Sequence, residues 1–116
     1  MVTVKLAHGL AYRDASVFEI RLKPLSIGGE LAAFALIDDL PDLPEGASQA
    51  ERLKRDVYET LAYWAQQIEA DGIPAEAVTA DWLMANLSGE DYQAVMAAQE
   101  DLRRKPSAAT ENPVRP

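Results

Sequence analysis

The sequence predicts an α+β fold: an N-terminal β-hairpin followed by about four α-helices, mostly helical, in a single domain over residues 1–105. Three observations predict it. The chain opens with two short runs in which apolar and polar residues alternate. Apolar residues then recur at helical spacing in four stretches, separated by proline, glycine and capping residues. With 116 residues, of which 48% are hydrophobic and 26% charged, the chain suffices for one modest core.

The hairpin comes first. Val2, Val4 and Leu6 share one face of the first run, with Thr3 and Lys5 on the other. In the second run Phe18, Ile20 and Leu22 face inward while Glu19, Arg21 and Lys23 face out. Between the runs, His8-Gly9 and Arg13-Asp14 supply turn chemistry, and Gly9 is free to take positive φ. Pro24 ends the second strand because it has no N–H for the ladder. A lone two-stranded hairpin is marginal in water, so its apolar face must rest on helices.

Four helices follow. Ser26 or Gly28 starts the first, which runs to about Leu40 before Pro41. Ile27, Leu31, Phe34 and Ala35 form one stripe; Ala33, Leu36, Ile37 and Leu40 make most of the remainder apolar too. A helix apolar almost all round is either central or covered by a partner. After the loop Pro41–Ala47, Ser48 or a neighbour caps a helix from about Gln49 to Ala70, with Leu53, Val57, Leu61, Trp64 and Ile68 on one face. Thr79 caps a short helix through Leu87. Ser88-Gly89-Glu90-Asp91 resembles a capping box with aspartate in the last position, and opens the final helix. Tyr92, Val95, Met96, Gln99 and Leu102 form its stripe, and Pro106 stops it. Residues 106–116 are expected to form a disordered C-terminal tail.

Composition narrows the function. With no cysteine, a disulfide, a thiolate nucleophile and a cysteine-ligated metal are all excluded. The N-terminus lacks a signal-peptide pattern, since Lys5 interrupts its apolar residues. The longest apolar run, Leu31–Ile37, is too short to span a bilayer. The net charge of −8 is uneven: residues 28–102 hold sixteen acids against three bases, whereas residues 103–116 hold four bases and one acid. An acidic body repels phosphate and disfavours ordinary nucleic-acid binding.

Candidate sites are few. Asp38, Asp39, Asp42 and Glu45 cluster, but without the alternating spacing or central glycine of a calcium loop. His8 is the only histidine, so metal or triad chemistry has no imidazole partner, and a turn residue is the simpler account. Ile27-Gly28-Gly29-Glu30 fits neither phosphate-loop pattern. Trp64 and Trp82 suit core anchors better than binding hot spots. No catalytic residue, cofactor or metal site is assigned, and the chain is expected not to be an enzyme. The apolar helix around Phe34 is the feature that asks for a partner.

The order of these elements carries a resemblance. Val4–Leu10, then Phe18–Pro24, then Gly28-Gly29-Glu30-Leu31, and later Trp82–Tyr92, resemble the small tail assembly chaperones of Mu-like tailed phages. Gly9 stands where that family commonly has proline, and Gly29-Glu30 where it has Gly-Asp. The resemblance implies a non-enzymatic protein of the host cytoplasm, not retained in the mature virion. It implies binding of the tape-measure protein, which is kept soluble while tail-tube subunits assemble, with the tail-tube protein and a homo-oligomer as further possible partners. No nucleic acid, no membrane and no cofactor are implied. Leu31, Phe34, Leu36 and Ile37 are the expected partner-binding residues. The alternative is a small acidic phage or prophage inhibitor that mimics DNA and blocks a nucleic-acid-binding host protein. Against it, Arg52, Lys54 and Arg55 interrupt the main helix.

Overall fold

Alternation at the N-terminus builds a longer hairpin than the two short runs suggest. In the computed structural model, which describes residues 1–110 with side chains as far as Arg103, β1 (Val2–Tyr12) pairs antiparallel with β2 (Ala15–Leu22). The turn is Arg13-Asp14 alone. Arg13 takes φ +57°, with its guanidinium 5.4 Å from the centre of the Tyr12 ring. His8 and Gly9, expected in the turn, lie inside β1 instead.

The register explains why. Val2 faces Leu22, Val4 faces Ile20 and Lys5 faces Glu19; further on, Leu10 faces Val17 and Tyr12 faces Ala15. Leu6–Gly9 therefore stand opposite Phe18 alone, a bulge that gives β1 three more residues than β2 over the same span. An odd excess reverses the faces of one strand relative to the other. β1 keeps Val4, Leu6 and Leu10 buried throughout, while β2 buries Ile20 and Leu22 before the bulge and turns Val17 toward the core after it. Phe18, expected inward, is displaced by this switch and is 53% exposed. Gly9 takes φ +80°, and a Cβ on it would stand 2.9 Å from both Phe18 Cε1 and the Val17 carbonyl oxygen. Only glycine fits there.

A buried carboxylate holds the bulge. Ser88 caps α4 (Gly89–Thr110), its Oγ accepting the Asp91 N–H at 3.1 Å. The Asp91 side chain does not turn back to complete a capping box. It crosses to β1 and accepts the backbone N–H groups of Ala7 at 2.7 Å, His8 at 3.0 Å and Gly9 at 3.0 Å. Asp91 is buried. Burial alone pushes its carboxyl up, but the three backbone donors and Ser88 together outweigh that and hold its pKa below 3.8. Beside it His8 Nε2 lies 2.9 Å from Glu90 Oε1, and that hydrogen bond raises the imidazole pKa above 6.5. The hairpin is thus fastened to the last helix, and braces it.

The second helix is shorter than its periodicity suggests. α2 spans Gln49–Trp64, opened by a full Ser48–Glu51 capping box. Residues expected to continue it turn away, and Ile68–Glu69 form β3, paired antiparallel with Arg21–Leu22. Gln67 is the reason. Its backbone carbonyl accepts the Lys23 N–H, and its side-chain amide donates to the Lys23 carbonyl and exchanges hydrogen bonds with Gln99, at 3.3 and 2.6 Å. Ile68 reaches the core from a strand, and the sheet has the order β1-β2-β3. Leu53, counted in the helical stripe, is 62% exposed.

A 3₁₀ turn (Ala75–Ala77) leads to α3 (Ala80–Asn86), where Thr79 Oγ1 accepts the Trp82 N–H as expected. Leu10, Ile20, Leu22, Leu61, Leu83 and Val95 form the fully buried centre. Trp64 lies against Tyr92 with ring centres 4.9 Å apart, and the half-buried Trp82 meets Tyr12 edge-on. α4 continues through Pro106 to Thr110, contrary to expectation. A proline forfeits one backbone hydrogen bond and can bend a helix without ending it. Of the expected tail, residues 106–110 are helical, and 111–116 lie outside the described residues. Among the described residues, no helix is long and apolar enough to cross a membrane.

Candidate partner-binding face

α1 (Ile27–Asp38) begins where a hydroxyl precedes the apolar run: Ser26 Oγ accepts the Gly29 N–H at 3.0 Å. It ends two residues before the expected Leu40, with Asp39 as its cap. The helix rests mainly on α2. Its contact side is made of small residues. Ala33 is fully buried, and a Cβ on Gly29 would come within 3.2 Å of Gln66 Cβ and 3.3 Å of Leu25 Cδ1. Ile37 completes that side, half-buried against the core.

The opposite side is bare. Ile27, Leu31 and Phe34 recur at i, i+4 and i+7, one face of a helix, and are 78%, 62% and 60% exposed. Of the four residues expected to bind a partner, the fold brings Leu31 and Phe34 together on this face. Leu36 is exposed but lies on the other side of the helix by helical spacing, and Ile37 points inward, away from any partner. Ile27, not among those four, belongs to the same exposed face, as the Ile27–Leu31–Phe34 spacing indicates.

Charge frames the face. Glu30 flanks it and Asp38 continues its line one turn beyond Phe34; both are exposed. Neither these two nor Asp39, Asp42 and Glu45 make a side-chain ion pair among the described residues. The helix has no base in its last turn to offset its negative end. Lys23, just before it, is engaged with Glu69 at 3.3 Å.

The two arginines of α2 hold the loop after α1, and Lys54 lines the same groove as Asp42. Arg55 Nη1 donates to the Pro41 carbonyl at 2.7 Å, its Nε sits 3.3 Å from Glu59, and Arg52 donates to the Glu45 carbonyl at 3.4 Å. That loop and α2 enclose an open groove of about 490 Å³, lined in part by Leu43, Arg55, Tyr58 and Asp81. Burial, then the adjacent Asp81 carboxylate, raises the Tyr58 pKa. A second groove, about 500 Å³, runs past Pro24, Leu25, Tyr63, Trp64 and Leu102 near the start of α1. Compared with models of protein families, with curated proteins and with solved structures, the chain matches none.

Proposed function

We propose that this protein is a phage tail assembly chaperone, acting without catalysis to bind the tape-measure protein and keep it soluble in the host cytoplasm until the tail tube forms around it. The observation that carries the proposal is the outer face of α1, three large apolar side chains exposed on an otherwise acidic body. A carrier of greasy helices needs apolar surface for its client and net charge to keep the complex dissolved. The resemblance in element order and motif supports the same assignment.

Paired replacement of Leu31 and Phe34 by aspartate tests it. Both residues are exposed, so thermal unfolding is expected to change little, while co-purification of a co-expressed tape-measure segment is lost. Ile37→Asp is unsuitable, since it forces a charge toward the core. Retained co-purification by the folded double variant refutes the assignment. A DNA mimic behaves oppositely, because two further acids leave its binding intact or improve it.

A further inference from the structure

We propose that the occupant of the α1 outer face is an amphipathic helix whose apolar stripe is flanked by lysine or arginine; this rests on the docking role proposed above and names the chemistry that docks. The stripe from Ile27 to Phe34 covers two helical turns, about 10 Å, the dimensions of one helix seam laid on another. Its frame is anionic. Glu30 lies at its side, Asp38 at its end, and Asp39 and Asp42 beyond, all exposed and without ion pairs among the described residues. The negative end of the helix dipole adds to these acids, and the last turn of α1 holds no base of its own; Arg55 reaches only the Pro41 carbonyl beyond it. The face therefore offers apolar contact and unpaired negative charge together.

That combination decides among occupants. A second copy presents the same Glu30 and Asp38, so a pair of α1 faces sets like charges against each other at the rim. The chain's own residues 104–116 are basic, but beyond alanine and proline they bring only Val114 as an apolar side chain. An anionic membrane surface is repelled by the same acids. A cationic amphipathic helix satisfies both properties of the face.

The test uses the full chain and two synthetic peptides of about four helical turns. Both carry the same leucine-rich stripe, one flanked by lysine and the other by glutamate, with binding followed by fluorescence anisotropy. The lysine peptide is expected to bind at least about tenfold more tightly at low ionic strength. Joint replacement of Asp38, Asp39 and Asp42 by asparagine is expected to shrink that preference to about twofold, and Phe34→Asp to abolish binding of both peptides. Equal affinities, or a preference the asparagine variant keeps, overturn the charge inference. If neither peptide binds while the tape-measure segment still co-purifies, the inference falls and the chaperone assignment stands. If neither peptide nor tape-measure segment binds, and Phe34→Asp dissolves a dimer seen by sedimentation, both fall.

Discussion

Removing the Asp91 carboxylate offers the sharpest test of how the hairpin is held. Asp91→Ala deletes three hydrogen bonds from the backbone of Ala7, His8 and Gly9 to a charged acceptor. Bonds of that kind contribute about 1.5–3 kcal/mol each. Ala7 and His8 are exposed residues whose amides can turn to water, whereas Gly9 is buried. Discounting the first two leaves about 3–5 kcal/mol, a large share of the roughly 5–15 kcal/mol that holds a domain this size. Asp91→Asn keeps one acceptor but sets an amide donor against a backbone donor, and is expected to cost about 2 kcal/mol. Urea unfolding followed by circular dichroism measures both, and hydrogen exchange at residues 7–9 localises the loss. Because its folded-state pKa lies below 3.8, the contribution of Asp91 is complete above that pH and is lost as pH falls through the lower folded-state value. The asparagine variant is therefore expected to flatten the acid limb of the stability profile. A loss below about 1 kcal/mol for Asp91→Ala, or an unchanged acid limb in Asp91→Asn, refutes the latch.

Three further outcomes are expected. Gly9→Ala places a Cβ against the Val17 carbonyl at positive φ and is expected to destabilise by about 2 kcal/mol or more, measured by the same unfolding curves. Gln99→Ala strips the reciprocal amide from Gln67, costs about 1–3 kcal/mol, and is expected to speed hydrogen exchange at Lys23, whose N–H is bound to the Gln67 carbonyl. His8 is expected to titrate above 6.5 by NMR in the parent chain and to move back toward that value in Glu90→Gln. Its contribution to the fold is present at low pH and fades as pH rises through the raised folded-state value.

Element type was legible wherever a local signal announced it. Ser26, Ser48, Thr79 and Ser88 each precede an apolar-periodic run, and each caps a helix. The bare face of α1 was legible for the same reason, since a helix apolar on all sides cannot hide every side against a single neighbour. What the sequence concealed were partnerships between distant residues. Ile68 continues the helical stripe of α2 by spacing alone, yet Gln67 meets Lys23 and Gln99, 44 and 32 positions away, and diverts the chain into a strand. Phe18 sits in a clean alternating run, and only the bulge on the facing strand turns it outward. Asp91 resembles a helix cap, and its real partners lie 82 to 84 residues earlier. No window of ten or twenty residues contains that information.

The clamped bulge also divides the hairpin into two independently aligned halves. Residues beyond it, from Leu10 to Val17, take their alignment from the Arg13-Asp14 turn, while those before it, from Val2 to Lys5, align with β2 on the far side of a segment clamped by α4. A lengthened turn is therefore confined to the stretch beyond Gly9, and the clamp keeps it from reaching the Val4–Ile20 pair. The tip of the hairpin is accordingly a natural place to graft a foreign loop or an affinity tag without disturbing the core beneath it.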